Sequence, residues 1–451
     1  MKKLKILYVV PVEASIPGSD LGGVIPSSEQ FMQGFRELGH EATFVRLRDT
    51  PQTGRYDVPS RSIYGPDQWI EGPGTGLRMH TVLGWQGHYY TTGNGRSLQE
   101  FIDLANAHDV VVWGALFGFK NKYTAGQTNW FRVFTDVKTP TVVMIRDDHL
   151  WERQAWTSMV EPYINGWAPV HSCGFDLSAG LTKPRGIVFS THDMDGIPTT
   201  KVPYRQRVNE VLMVQNFKSW KRSERLVMAV PHMESKVTLA GNGIELRYMM
   251  ADEKCKPRYF ATKRNDPDIV EFPDMVGKRI WENAEACPNF RYLGAVTEAQ
   301  RDGLMRRAKF LTDLSERHNT GMFNRVFIEA ARQGQVTLAL EMFMSGIDGD
   351  NPLWQPGVHY LPVEPYSKPK ELGQQIDGYM KIGQKKYDSI IEAVHERLPM
   401  FDRKVGSQQL IDLALGKRPK NCWAYDRGGS GDVTLLAKGK AEFESLFGRI
   451  A

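Results

Sequence analysis

Four segments of the chain carry residue types at spacings that could do chemistry. In SERHNTGMFNRVFIEAARQGQVTLA (315–339) a strand-like run ends at Ser315, a polar loop containing Gly321 follows, and a helix with an apolar stripe begins. The N–H groups of Gly321, Met322 and Phe323 at such a helix start lack intrahelical acceptors, and the helix dipole favours negative charge there, so a diphosphate suits the spot. Glu329 stands eight residues after Gly321, roughly two turns along the helix. From there its carboxylate could accept both hydroxyls of a ribose, while Arg325 is a candidate for phosphate charge. The plain alternative is an amphipathic helix with Glu329 in solvent. The β-run QVTLAL after Gly334 favours the site.

The segment QNFKSWKRSERL (215–226) clusters Lys218, Lys221 and Arg222 where a phosphate could sit, with Trp220 placed to pack under a base or against the core. Basic side chains at a helix start oppose its dipole by about a few tenths of a kcal/mol or more, and a bound anion relieves that opposition. Surface residues of an ordinary helix start would look the same. In PGSDLGGVIPSS (17–28), Gly22 and Gly23 let backbone approach a ligand at a helix start; a tight strand-to-helix turn uses the same residues. In MIRDDHLWER (144–153) two acids and His149 fall where a strand gives way to a loop. Adjacent carboxylates on a strand point opposite ways. One of Asp147 and Asp148 is therefore expected to face a cleft as general base or hydroxyl orienter, with His149 beside it, and the other to cap the next helix.

The elements that must hold these segments follow a β-loop-α rhythm. LKILYVVPV (4–12) reads as a buried parallel strand, EQFMQGFRELGH as a helix and EATFVRL as a second strand. The Gly-, Pro- and aromatic-rich stretch 50–97 breaks the rhythm and is expected to be functional or to hold small strands. It resumes with a helix at 97–107, a strand at 109–116, a helix near 125–136, a strand at 139–149, a helix at 150–165 and short strands near 169–172 and 186–189. After a linker near 195–206 come strands at NEVLMVQNF, KVTLAGNG, FRYLGAV and KFLTDLS, alternating with helices at SERLVMAVPHM and TEAQRDGLMRRA. The fold class is α/β: two Rossmann-like doubly wound domains facing across a cleft. The domains are 1–205, expected to bind the acceptor, and 206–400, expected to bind the nucleotide. Residues 401–451 are a C-terminal helix and appendage packing back on the first domain.

With 451 residues the chain exceeds a single hydrophobic core. Its 41% hydrophobic and 24% charged residues are those of a soluble globular protein. A net charge of +5 is compatible with an acidic partner without requiring one. The cysteines at 173, 255, 287 and 422 form no C-x-x-C pair, so neither a zinc site nor a redox motif is expected, and widely spaced thiols fit a reducing cytoplasm. No stretch approaches the roughly 20 apolar residues that cross a bilayer, and MKKLKILYVVPVE reads as a strand rather than a signal peptide.

Taken together, the tandem α/β domains, the Gly-Gly turn, the Lys after the first strand of the second domain and the loop-helix TGMFNRVFIEAARQG resemble the GT-B glycosyltransferases of the retaining, nucleotide-sugar type. Their paired-acid pattern E-x7-E is half met: Glu329 is the second acid, and Gly321 stands where the first would be. A closer resemblance runs to the DNA α-glucosyltransferases of T-even bacteriophages. It is carried by GGVIPSSEQFMQGFRELGHEATFV, VVMIRDDHLWER, PVHSCGFD, SWKRSERL and EAARQGQVTL. That resemblance implies Lys221 on the donor diphosphate, Glu329 on the ribose, Asp148 on the acceptor hydroxyl, and retention at the anomeric carbon. The Arg expected shortly before the Lys is missing; Asn216 stands near there, and Lys218 is the substitute. Residues 50–97 and 417–451 have no counterpart.

A separate cue for nucleic acid is EKCKPRYFATKRND (253–266), where Lys254, Lys256, Arg258, Lys263 and Arg264 surround Tyr259 and Phe260. Basic residues meet phosphates and aromatics stack on bases. Neutralising about six phosphates would give a slope of log K against log salt of about −5. Reaching a hydroxyl inside a duplex requires flipping a base out, at a cost of about a few kcal/mol. The expectation is a cytoplasmic, monomeric enzyme with no prosthetic group and no metal, whose donor is a UDP-sugar, UDP-glucose first, and whose acceptor is a hydroxymethylated base such as 5-hydroxymethylcytosine in double-stranded DNA. Two alternatives stand beside it: a glycosyltransferase of the same fold acting on a glycan or lipid-linked acceptor, and a nucleic-acid-binding protein with a decayed donor site.

Overall fold

The computed structural model describes residues 2–11, 24–48, 88–91, 95–115, 132–146, 160–170, 175, 181–189, 191–195, 202–215, 221–241, 276–315, 325–340, 353–364 and 367–428. The chain divides into two compact units. The first is Met1–Met194 with Pro399–Ala451; the second is Asp195–Leu398.

In the first unit, β1 (Lys5–Pro11), β2 (Glu41–Arg48), β3 (His88–Thr91), β4 (Val110–Trp113), β5 (Thr141–Ile145), β6 (Gly166–Pro169) and β7 (Arg185–Gly186) lie in the order β7-β6-β5-β4-β1-β2-β3. The strand Tyr425–Asp426, from the C-terminal segment, adds antiparallel to β7; the other pairs are parallel. Ile6, Leu7, Tyr8, Val9 and Val10 of β1 are all buried. A central parallel strand is covered on both faces, which is why the run is continuously apolar rather than alternating. Within 50–97 the described part holds β3, which pairs with β2 from Val45↔His88 to Arg48↔Thr91, and the start of α2 (Gly95–Asn106). Of the helix expected over 150–165, Val160 is helical and a 3-10 turn, Glu161–Tyr163, follows it, so the helical segment ends two residues before 165; residues 151–159 lie outside the described residues.

The helix Arg403–Ala414 packs on α1 (Val24–Glu37) in this first unit. Two glycines permit the close approach. A Cβ on Gly34 would overlap the Arg403 carbonyl oxygen, and one on Gly406 would overlap the Thr191 methyl and sit 3.1 Å from the Phe31 ring. Ser407 Oγ donates to the Phe31 carbonyl at 2.9 Å, and Arg403 Nε donates to Glu37 Oε2 at 2.9 Å.

The second unit is built the same way. β8 (Val208–Val214), β9 (Lys236–Ala240), β10 (Phe290–Tyr292), β11 (Ala308–Asp313), β12 (Val336–Leu340) and β13 (Leu361–Val363) form a wholly parallel sheet in the order β10-β9-β8-β11-β12-β13. After the short helix α3 (Arg132–Thr135) of the first unit come α4 (Ser223–Ala229), α5 (Val276–Glu285), α6 (Glu298–Arg307), α7 (Arg325–Arg332), α8 (Pro369–Tyr379) and α9 (Gln384–Arg397). Thr297 caps α6 through a reciprocal pair with Gln300: the Gln300 N–H donates to Thr297 Oγ1 at 3.3 Å and the Thr297 N–H to Gln300 Oε1 at 2.9 Å.

Arg207, at the entry to β8, is buried, and among the described residues no carboxylate pairs with it. Its guanidinium instead donates to the carbonyls of Val202, Met305, Ala308, Gln333 and Gly334 at 2.8–3.2 Å. Five N–H groups meet five carbonyls, so the turns entering β8, β11 and β12 are tied at the amino edge of the sheet. Burial pulls the guanidinium below its usual pKa, and the ring of Tyr387 lies 5.8 Å beneath it.

The two glycine environments give a paired expectation. Gly34→Ala should lower the stability of the first unit by about 1–3 kcal/mol, the usual cost of overpacking. Gly303→Ala, on α6 with nothing within 4 Å of the added methyl, should gain about 0.4–1 kcal/mol. Urea unfolding of the two variants checks it; equal midpoints would contradict the packing described.

Candidate active site

Doubly wound sheets bind ligands beyond the carboxyl ends of their strands, at the point where strand order reverses. In the second unit that point lies between β8 and β11. β8 leaves the sheet through Gln215. A Cβ on Gly241, at the end of β9, would overlap the Gln215 carbonyl, and Gly241 has φ of 138°; only glycine fits this crossing. Lys221 then stands at the entry to α4, half-buried, and Gln215 Nε2 lies 3.5 Å from its carbonyl.

Arg222 departs from the expected phosphate cluster. It adopts a left-handed conformation (φ 50°, ψ 33°) at the start of α4, is buried, and places its Nε 2.7 Å from Glu224 Oε1. The acid two residues on neutralises it, so Arg222 is committed inside the fold and does not stand open to a ligand. Of the two lysines expected on a phosphate, Lys221 is described, half-buried at the start of α4, and Lys218 lies outside the described residues.

β11 ends at Asp313, which is buried with Ser315. Asp313 Oδ1 accepts the Ser315 N–H at 3.1 Å and the Ser315 hydroxyl, a local turn that lifts the chain off the strand. Neither residue was singled out from sequence, although an acid at a strand end before a polar loop is a usable signal. Gly321, Met322 and Phe323 fall in the stretch that follows, outside the described residues.

The helix α7 starts at Arg325, and its fifth residue is Glu329, only 6% exposed. Arg325 Nε donates to Glu329 Oε1 at 2.9 Å. From α6, Arg301 Nη1 reaches the same oxygen at 3.0 Å. The expected alternative of a solvated Glu329 is thereby set aside. Both guanidiniums converge on Oε1, and among the described residues Oε2 has no hydrogen-bond partner. Burial without pairing would be costly for a carboxylate; here one oxygen meets that need and the other is left as an acceptor. Arg325 is thus first a partner of Glu329, while its buried Nη1 has no acceptor among the described residues. Arg301 was not anticipated: in sequence it is one of several charges on an exposed-looking helix, and only the packing of α6 against α7 brings it to Glu329.

Gly22, Gly23, Asp148 and His149 belong to the stretches after β1 and β5 of the first unit and lie outside the described residues, as do Lys254, Lys256, Arg258, Lys263 and Arg264. Among the described residues no three metal-ligating side chains gather, and no helix is long and apolar enough to cross a membrane.

No protein-family model matches the chain, and no curated protein does. Solved structures do. Anabaena HepE, solved with UDP-glucose, superposes with a TM-score of 0.56 over 91% of this chain and 98% of its own, at 13% identity. An α-glucosyltransferase in complex with UDP and a 13-mer DNA containing an HMU base gives 0.58 over 92% and 100%, at 14% identity. Sucrose-phosphate synthase of Thermosynechococcus elongatus gives 0.56 over 91% and 98%, at 11% identity. At such identities the likeness is one of fold, and the fold it establishes is that of the GT-B glycosyltransferases, with two parallel α/β sheets.

Proposed function

We propose that the protein is a glycosyltransferase that moves a sugar from a UDP-sugar, UDP-glucose first among them, to the hydroxyl of a hydroxymethylated base such as 5-hydroxymethylcytosine in double-stranded DNA, with retention at the anomeric carbon. The observation that carries the donor half is Glu329: a buried carboxylate held by Arg301 and Arg325 through one oxygen, beside the strand-order reversal where nucleotides bind such sheets. Its second oxygen suits the hydroxyls of a ribose. The fold likeness to proteins solved with UDP and UDP-glucose supports the same donor.

In the transfer, the bond between the anomeric carbon and the diphosphate oxygen breaks and one to the acceptor oxygen forms. Negative charge grows on the leaving diphosphate. Lys221, with Lys218 and the amides of Gly321, Met322 and Phe323, would face that charge, and preorganised donors of this kind stabilise a transition state strongly. Asp148, with His149 beside it, would orient the acceptor hydroxyl and take its proton. The acceptor half rests on the basic, aromatic run 253–266 and on one structural neighbour solved with DNA.

UDP at about 100 times its Kd should stabilise the protein by about 2.7 kcal/mol. Glu329→Ala and Lys221→Ala should each weaken UDP binding by about 1.5–3 kcal/mol, the range for hydrogen bonds to charged groups. Calorimetric titration and thermal unfolding read both effects. Unchanged UDP affinity in the two variants would remove the site assignment.

For the acceptor, the protein is incubated with hydroxymethylcytosine, hydroxymethyluracil and unmodified DNA and a panel of nucleotide sugars, and the nucleosides are weighed by mass spectrometry. A hexose gain on a hydroxymethylated base is expected. No gain on any DNA, with UDP still bound, would point to a glycan acceptor instead.

A further inference from the structure

The strand order of the first unit also reverses once, between β1 and β4. A built cluster of polar groups stands at the carboxyl ends of those strands, and none of its members has a role in the reading above. Arg146 follows β5 directly. Its Nη2 donates to the Tyr8 hydroxyl at 2.9 Å, and its Nε donates to the Gly114 carbonyl just past β4. Tyr8 comes from β1 and is fully buried; its hydroxyl lies 3.4 Å from Ser28 Oγ in the second turn of α1. Phe31, one turn further along α1, places its ring 5.9 Å from the guanidinium carbon. A Cβ on Gly114 would stand 2.7 Å from the Tyr8 ring and hydroxyl, so any side chain there would displace the phenol that holds Arg146. Three strands and one helix thus fix this guanidinium.

Among the described residues no acid compensates its charge. Arg146 is half-buried, its fixed contacts are a carbonyl, a phenol and the Met144 thioether, and no carboxylate among the described residues pairs with it. Nη1 has no acceptor among them. Buried cations are normally paired, and an Arg held rigidly without a carboxylate presents its remaining N–H groups to an oxyanion. In the same helix, Ser27 Oγ, on a residue 1% exposed, has no hydrogen-bond partner among the described residues. The start of α1 adds its dipole.

We infer that the carboxyl edge of the first unit's sheet, at Arg146 with Tyr8 and the first turns of α1, is a binding site for a phosphate group. A phosphate, with several acceptor oxygens, matches the remaining N–H groups of a guanidinium set beside the positive end of a helix dipole. That this phosphate belongs to the acceptor rests on the glycosyl-transfer reading; that the site takes a phosphate does not. The group comes from a DNA backbone or from a small phosphorylated acceptor, and both offer the same chemistry.

The test uses the full chain, first saturated with UDP so that the second unit's proposed site is filled. Inorganic phosphate, glucose 6-phosphate and a hydroxymethylcytosine duplex are then titrated at constant ionic strength and followed by thermal midpoint and calorimetry, in wild type, Arg146→Met and Arg146→Lys. Saturable binding of phosphate to wild type is expected, weakened at least tenfold in Arg146→Met and less in Arg146→Lys, with the UDP response kept in both as proof of folding. If glucose 6-phosphate binding falls in the variant, the source is a small acceptor. If duplex binding falls, with a salt slope shallower by about 1, the source is the DNA backbone. Equal phosphate affinity in wild type and both variants, or no saturable binding to wild type, overturns the inference. Should UDP itself fail to bind wild type, the donor reading fails separately, and the phosphate comparison is run without it.

Discussion

One carboxylate oxygen ties together two helices of the second unit. Glu329 Oε1 draws a guanidinium from its own helix and another from the preceding one, Arg325 at 2.9 Å and Arg301 at 3.0 Å. A carboxylate at 6% exposure is tolerated because those charges are present. The same contacts pin α6 to α7 and fix the rotamer of Glu329. Structural pairing therefore uses one oxygen of the side chain, and the proposed ribose contact would use the other, so the proposed site is rigid before a nucleotide arrives.

The parallel sheets impose the remaining geometry. In each unit the strand order reverses once, and the loops that leave the two strands on either side of that reversal diverge. In the second unit, Arg207 gathers the turns at the amino edge by filling five carbonyls, while the carboxyl edge carries Lys221, Asp313, Ser315 and Glu329. In the first unit, the carboxyl edge carries Arg146, fixed by Tyr8 and Gly114. One edge holds the fold and the opposite edge presents charge.

Much of this was legible in the residues, and the reason is periodicity. Continuous apolar runs such as KILYVVP and VLMV can be covered only by helices on both faces, so they announce a parallel sheet. The spacing within RVFIEAAR placed Glu329 on the helix now seen to hold it. What escaped notice depends on contacts distant in sequence. Arg301 is 28 residues from Glu329 and looks like any surface cation of TEAQRDGLMRRA. Arg222 looked like a free phosphate ligand because a sequence does not show that its backbone turns left-handed and tucks the side chain against Glu224. Arg146 stood in plain view in MIRDDH, overshadowed by the acids beside it. Gly34 and Gly406 lie 372 residues apart, and each by itself reads as a flaw in a helix rather than half of a close approach.

The most direct measurement is a crystal structure of the protein with UDP. Placing a nucleotide against the β8–β11 reversal requires the ribose hydroxyls within hydrogen-bond distance of Glu329 Oε2, with the two phosphates on Lys221 and the amides leading into α7. UDP bound with its ribose away from Glu329, or Glu329 Oε2 closed off by a protein donor, would contradict it.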